Sequence, residues 1–197
     1  MANVDSVKKL VFEAARAAYE KGLISAFSGN VSARIPGMDL MVITPSGVHR
    51  RAMKLSDLVV VDFDGRMVEG YRKPSSEWRM HMSIYRARED VGGVVHAHVP
   101  FALALSLAGF DINSSQLVEV KYVLRKVKRV PPLPPGSEEL ALRVAQSIIG
   151  GVKVVLLECH GAVAVGRDPL EAEGYLEALE EAAKTELLRL MALKGQR

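Results

Sequence analysis

The chain has 197 residues, of which 49% are apolar and 25% charged, and its formal net charge at pH 7 is +3. This length suits one domain with a buried core, so we expect residues 1–197 to form a single domain. So small a charge does not indicate nucleic acid or an anionic membrane as a partner. Cys159 is the single cysteine, which excludes an intramolecular disulfide. With no secretory pattern and no apolar run of about 20 residues, the expected compartment is the cytoplasm.

Hydrophobic periodicity and turn residues divide the chain into helices and strands. The predicted elements, in chain order, are helix 4–21, strands 30–35, 40–43, 58–62 and 66–69, helix 77–88, strand 93–98, helix 100–108, strand 117–130, helix 137–149, strands 153–157 and 162–165, and helix 168–193. Ser75 or Ser76 is expected to cap the second helix. Because both tight turns and helices link the strands, the pattern predicts an α/β layered domain with a mixed sheet rather than a doubly wound parallel one.

Three histidines form the first candidate site. Since side chains alternate along a strand, His96 and His98 face the same side, and their imidazoles can approach the ~3.3 Å separation of two nitrogens on a tetrahedral zinc ion. His160 ends another apolar strand, and three histidines would leave a coordination position open for a substrate. The alternative is ordinary hydrogen-bonded histidines at strand ends. Cys159 is a rival ligand, although on a continuing strand it would face away from His160.

A second candidate lies where the helix 77–88 begins. Ser75 and Ser76 offer hydroxyls and backbone N–H groups at a helix start, where the partial positive charge favours an anion. A plain helix cap followed by an acidic first-turn residue explains the local sequence equally well. Glu77 and His81 share one helix face at spacing i, i+4. His81 could support a metal site, but a packed, hydrogen-bonded helix histidine is the favoured interpretation.

Two small-residue turns form the third candidate. Residues 27–30 read Phe-Ser-Gly-Asn, and residues 44–47 read Thr-Pro-Ser-Gly. Turns of this kind expose backbone N–H groups that can hold a phosphate, although most of them only reverse the chain.

Taken together, these motifs occur in one order: Ser-Gly-Asn-Val-Ser at 28–32, Ile-Thr-Pro-Ser-Gly at 43–47, Pro-Ser-Ser-Glu-Trp-Arg at 74–79, His-x-His at 96–98 and His-Gly at 160–161. This order and spacing resemble the class II aldolase/adducin family over roughly residues 5–190. The resemblance implies an α/β fold, a single-domain three-layer α/β/α arrangement with a largely antiparallel central sheet, and a homotetramer with active sites at subunit interfaces. It also implies an aldolase that reversibly cleaves a ketose 1-phosphate into dihydroxyacetone phosphate and a short aldehyde.

The resemblance assigns roles by matching motif positions. His96, His98 and His160 would hold Zn²⁺ or another divalent first-row ion, and Glu77 would act as acid/base and as fourth metal ligand without substrate. The implied cradle for the phosphate consists of Gly29, Asn30, Ser46, Gly47, Ser75 and Ser76. One feature departs from the family: Leu117 stands where the aldolases have a tyrosine contributed by the neighbouring subunit. Tyr122 lies nearby, but it would need a shift of five residues.

Several other functions remain open from the sequence. Family relatives include L-ribulose 5-phosphate 4-epimerases and a dehydratase acting on methylthioribulose phosphate. The epimerases carry Asp at the position of Glu77, so this glutamate favours aldol chemistry. Adducin, a cytoskeletal module of the same family, would be expected to have lost the metal histidines. A structural zinc site is usually rich in cysteine and closed, unlike a set that extends from His96 to His160.

Overall fold

The computed structural model describes residues 3–194, and its centre is one sheet of eight strands. The strands are β1 (Asn30–Arg34), β2 (Leu40–Ile43), β3 (Val59–Asp62), β4 (Met67–Glu69), β5 (Gly93–Ala97), β6 (Val127–Val130), β7 (Val154–Leu157) and β8 (Gly161–Gly166). They lie in the order β4-β3-β2-β1-β5-β8-β7-β6, and every neighbouring pair except β6–β7 is antiparallel. The predicted largely antiparallel central sheet is therefore confirmed.

Helices cover both faces of the sheet and give the predicted three layers. The helices are α1 (Val4–Glu20), α2 (Trp78–Ala87), α3 (Pro100–Leu107), α4 (Glu138–Ser147) and α5 (Pro169–Lys194). Buried residues of α1, α3 and α5 form one core cluster, and those of α2 and α4 form a second. Val95 belongs to the first cluster and Val94 to the second, because successive strand residues face opposite sides. Within residues 3–194, no helix combines the length and apolarity that crossing a bilayer demands.

The prediction of a strand over 117–130 is wrong for most of its length. Residues Glu119–Leu124 form a π-helical turn, and only Val127–Val130 is strand. Val120 and Leu124 lie four residues apart and are both buried in the core, which is helical spacing. Because every second residue was only loosely apolar, the alternation was mistaken for a strand. Arg125 then ends the turn with a φ of 63°.

The start of α2 also differs in detail from the prediction. Glu77 is the N-cap residue, and its side chain makes no capping hydrogen bond. Ser75 Oγ instead accepts a hydrogen bond from the Glu77 backbone N–H at 3.3 Å. The Glu77 carboxylate is therefore not used to cap its own helix.

A buried hydrogen-bond chain connects β1 to α2. His81 is fully buried, and its Nε2 lies 2.5 Å from Asn30 Oδ1 while its Nδ1 lies 2.7 Å from Ser32 Oγ. Because an amide oxygen only accepts, Nε2–H is the donor and Nδ1 accepts from the Ser32 hydroxyl. Ser32 Oγ in turn lies 2.8 Å from the Tyr85 hydroxyl. Burial lowers the pKa of His81 to about 3, so the ring is neutral, and the interpretation of His81 as a packed, hydrogen-bonded helix histidine is confirmed.

We expect Ser32→Ala to lower the free energy of unfolding by about 1–3 kcal/mol, because His81 and Tyr85 would each lose a buried hydrogen-bond partner. Denaturant unfolding of the variant measures this loss. Ser83→Ala is the matched control, since Ser83 is half-buried on α2 outside the chain of hydrogen bonds. A loss for Ser32→Ala no larger than that of the control would show that the chain adds nothing to stability.

Candidate active site

A single cleft of about 390 Å³ lies where β1, β5 and the turn before β8 meet the start of α2. Every predicted site residue lines this cleft. Its lining consists of Ser25, Phe27, Ser28, Gly29, Asn30, Pro45, Ser46, Gly47, Arg50, Ser75, Ser76, Glu77, His96, His98 and His160. The tertiary structure therefore brings together five segments of the chain, and up to 135 positions separate their residues, from Ser25 to His160.

The three histidines converge on one point of the cleft. One ligand nitrogen from each of His96, His98 and His160 lies within 4.8 Å of the other two. The ring centroids of His96 and His160 are 4.7 Å apart, and those of His98 lie 5.6 and 5.8 Å from them. His96 is buried, His160 half-buried and His98 exposed, so the cluster opens towards solvent on one side. Exposed Cys159 is not part of this group, which removes it as the rival ligand.

The donor set of the histidines fits a divalent metal ion. His96 Nδ1 lies 3.0 Å from the carbonyl oxygen of Ala162, so Nδ1 carries the proton and Nε2 keeps its lone pair. Burial lowers the pKa of His96, His98 and His160, and for His96 and His160 the neighbouring rings lower it further. All three rings are therefore held in the neutral form that binds metals. His160 Nδ1 is buried without a hydrogen-bond partner among the described residues, and an ion could satisfy such an atom.

The sheet and one close backbone approach set this geometry. In β5, His96 pairs with Asn30 of β1 and with Val163 of β8, so the cleft lies at the end shared by these strands. Gly161 follows His160, and a Cβ atom at Gly161 would lie 2.3 Å from the carbonyl oxygen of Ala97. Any other residue at 161 would therefore push the turn that carries His160 away from β5.

Glu77 lies in the same cleft as a buried carboxyl group. Its residue is 5% exposed, and its Oε2 has no hydrogen-bond partner among the described residues. Burial raises the pKa of Glu77, and a hydrogen bond with the Gly136 backbone opposes this in part. The group of ligand atoms within 4.8 Å of one another contains the three histidines without Glu77. A buried, under-satisfied carboxyl beside a solvent-open cleft is suited to exchanging a proton with a bound molecule.

The small-residue turns carry unused hydrogen-bond donors. Within residues 3–194, the backbone N–H groups of Gly29, Gly47 and Ser76 have no acceptor. The turns themselves are tied together, because Ser46 N–H donates to Lys73 O at 2.9 Å and Ser75 N–H donates to Thr44 O at 3.1 Å. Three free N–H groups on fixed loops around one cleft form an arrangement that favours an anion.

Asn30 adds a side-chain donor to the same wall. Its Oδ1 accepts from His81, so its amide NH₂ group remains free to donate. The hydroxyl groups of Ser46 and Ser76 are also without partners among the described residues. The predicted phosphate residues thus lie together, with donors outnumbering acceptors.

The sequence analysis missed two residues of the cleft, Ser25 and Arg50. Arg50 is the charged one of the two. It is 4% exposed, and its guanidinium donates to Gly29 O at 2.5 Å and to Pro45 O at 3.3 Å. In the sequence, Arg50 precedes Arg51 in a loop, and two adjacent arginines usually indicate a solvated surface. Arg50 differs from Arg51 only because the folded turn buries it.

The proton-donor tyrosine expected from the family has no counterpart in this cleft. Tyr122 is 72% exposed on the π-helical turn and does not line the cleft of its own chain. Leu117 packs partly buried against the core.

Residues 9–187 match the family profile described as the Class II Aldolase and Adducin N-terminal domain. An L-fuculose phosphate aldolase of Methanocaldococcus jannaschii is 33% identical over 187 residues, which cover 95% of this chain and 99% of that protein. An L-ribulose-5-phosphate 4-epimerase of Salmonella paratyphi C is 34% identical over 191 residues, which cover 92% of this chain and 84% of that protein.

The solved structure of an L-fuculose 1-phosphate aldolase superposes with a TM-score of 0.85 at 34% identity, covering 93% of this chain and 86% of that one. Sequence and fold agree over almost the whole chain, and the cleft lies within the matched residues. The chain therefore belongs to the class II aldolase and adducin family, and it is one of the family's enzymes.

Proposed function

We propose that this enzyme is a zinc-dependent aldolase that reversibly cleaves a ketose 1-phosphate, such as L-fuculose 1-phosphate, into dihydroxyacetone phosphate and a short aldehyde, such as L-lactaldehyde. The observation that carries the proposal is the convergence in one cleft of three neutral histidines, a buried free carboxyl group and a wall of free N–H donors. Aldol chemistry on a phosphorylated sugar needs these three components: an electron sink, a base and an anion anchor.

Each component has an assigned set of residues. His96, His98 and His160 would hold the ion, with Glu77 as a further ligand when no substrate is present. The bound ion would supply Lewis-acid polarisation of the substrate carbonyl, worth several kcal/mol. Zinc is preferred because three imidazoles with an open position are typical of catalytic zinc sites, although other first-row ions accept the same ligands.

Glu77 is proposed as the acid/base. In the synthetic direction its carboxylate takes a proton from the carbon that becomes the nucleophile, and in cleavage its carboxylic acid returns that proton. Burial raises the pKa of Glu77, which makes it a stronger base than an exposed glutamate. Gly29, Asn30, Ser46, Gly47, Ser75 and Ser76 would hold the phosphate and so fix the reacting carbon beside Glu77.

A second candidate function is epimerisation of L-ribulose 5-phosphate, which the similarity to the Salmonella enzyme supports. Dehydration of methylthioribulose phosphate is a further alternative on this scaffold. Glu77 favours the aldolase, because the epimerases of the family carry Asp at this position. The open side of the histidine cluster argues against a purely structural zinc site.

We further propose a homotetramer in which active sites lie at subunit interfaces. Tyr122 is exposed and lies outside the cleft of its own chain, so it could act as a proton donor only in the cleft of another subunit. Large apolar side chains are exposed at the end of α3, directly before the same turn and on α5, namely Leu107, Val118, Leu188 and Met191. Sedimentation velocity tests the proposal, and a monomer at micromolar concentration would contradict it.

A substrate panel tests the reaction itself. We expect the purified enzyme to condense dihydroxyacetone phosphate with short aldehydes and to leave L-ribulose 5-phosphate unconverted at the 4-position. Coupled assays and product analysis measure both reactions with the same preparation. Conversion of ribulose phosphate without any aldol product would replace the aldolase with the epimerase.

The metal site makes a separate prediction. His160→Ala should lose the bound ion and nearly all turnover, because the cluster would keep only two of its imidazoles. Cys159→Ser is the matched control at the adjacent position and should keep about one ion per chain. Elemental analysis after purification, chelation and zinc addition provides the measurement. Full turnover by chelated protein whose metal content is nil would refute a role for any ion.

Glu77→Gln should keep the ion and lower kcat roughly 10²- to 10⁴-fold, since the amide has the size of the acid but cannot take the proton. Steady-state kinetics and metal content together make the measurement. Glu158→Gln, at a half-exposed glutamate paired with Arg129 and outside the cleft, is the control. A variant at Glu77 with nearly normal kcat would mean that another group is the base.

A further inference from the structure

Arg50 is a buried cation that no carboxylate neutralises. Its residue is 4% exposed, and among the described residues no Asp or Glu lies within 4.0 Å of its guanidinium. Arg50 also borders a neighbouring cavity, whose acidic residue Glu20 is paired with Arg16 at 3.0 Å. Burying a charge is costly unless it is paired or well hydrogen-bonded, so an arginine in this position needs a compensating partner.

Backbone carbonyl groups supply only part of that compensation. Arg50 donates to Gly29 O, to Pro45 O and, at 3.5 Å, to Val48 O, while its Nε is buried without an acceptor among the described residues. Carbonyl dipoles carry no net charge, so the positive charge of the guanidinium remains. Burial lowers the pKa of Arg50 to about 10, and the group is therefore still protonated at pH 7.

The position of this charge relates it to the anion wall. Arg50 lines the cleft together with Gly29, Ser46 and Gly47. Of its three carbonyl partners, Gly29 and Pro45 belong to the two turns whose free N–H groups form that wall, and Val48 directly follows the second turn. One side chain thus connects both turns and places a fixed positive charge beside the free donors.

We propose that Arg50 is the fixed positive charge of the anion subsite and determines the enzyme's selectivity for a phosphorylated, doubly negative substrate over its neutral counterpart. The inference rests on the proposed phosphate role of this cleft. A phosphate group would neutralise the buried cation, and the cation would strengthen binding of the dianion while adding nothing to binding of an uncharged sugar. Neutral N–H donors alone discriminate less strongly between these two substrates.

Two substitutions separate the charge from the connection between the turns. Arg50→Gln removes the charge and keeps an amide donor for a carbonyl group, whereas Arg50→Lys keeps the charge and loses the planar fork. Arg51→Gln is the matched control, because Arg51 is exposed and lies outside the cleft but the change in net charge is the same. Inorganic phosphate is the probe, and isothermal titration calorimetry gives its dissociation constant for each protein.

We expect Arg50→Gln to weaken phosphate binding roughly 10- to 100-fold, Arg50→Lys to keep it within about threefold, and Arg51→Gln to leave it unchanged. The ratio of kcat/KM for dihydroxyacetone phosphate to that for unphosphorylated dihydroxyacetone should fall in Arg50→Gln by a similar factor. A loss of fold alone would lower both kcat/KM values together and leave their ratio in place.

The inference would be overturned if Arg50→Gln bound phosphate as tightly as the unmodified protein does. Equal losses of phosphate affinity in the Gln and Lys variants would also overturn it, because Arg50 would then only connect the two turns and have no electrostatic role. If Arg50→Gln does not fold, NMR of the unmodified protein replaces it: the Arg50 guanidinium signal should shift on phosphate addition and that of Arg51 should not. Phosphate binding that depends on Arg50 in a protein without aldolase activity would remove the proposed reaction and leave this inference standing. Aldolase activity together with a phosphate affinity that does not depend on Arg50 would remove this inference and leave the proposed reaction standing.

Discussion

The pairing of β5 with its two antiparallel neighbours is the constraint on which the site depends. His96 pairs with Asn30 on one side and with Val163 on the other, so β1, β5 and β8 meet the cleft at the same end of the sheet. Alternation along β5 then directs His96 to the same face as Val94, which α2 and α4 cover, and His98 follows directly after the strand. A slip of one residue in this register would turn His96 into the opposite core and dismantle the site.

Supporting hydrogen bonds also determine which acceptor atoms near the cleft stay available to a ligand. His81 donates to Asn30 Oδ1, and Arg50 donates to the carbonyl oxygen of Gly29. The Nδ1–H group of His96 donates to the carbonyl oxygen of Ala162. The groups that line the cleft are then free N–H donors, serine hydroxyls, neutral imidazoles, the Arg50 guanidinium and one carboxyl group. In Asn30 and His96, the hydrogen bond made by one polar atom of the side chain determines which other atom is free to bind a ligand.

The same arrangement explains how one scaffold serves related reactions. The aldolase and the epimerase to which the chain is similar both act on phosphorylated sugars, as their names state, and the chain matches each at nearly the same identity. Under the proposed function, an anchored phosphate and a polarised carbonyl would serve chemistry on either of these sugar phosphates. Under the proposed function Glu77 moves the proton, so the identity of residue 77 bears on the choice between the two reactions.

Much of this protein follows from its sequence alone. The motifs at 28–32, 43–47, 74–79, 96–98 and 160–161 resemble the family in their order and spacing, and that resemblance implied the layered antiparallel fold and nearly every residue of the cleft. The strand predicted over 117–130 failed because four-residue spacing of Val120 and Leu124 became meaningful only once a core existed for them to face. Burial decided the rest. Arg50 and Arg51 are the same residue type at adjacent positions, and only the packing of two turns around the first makes it a buried charge.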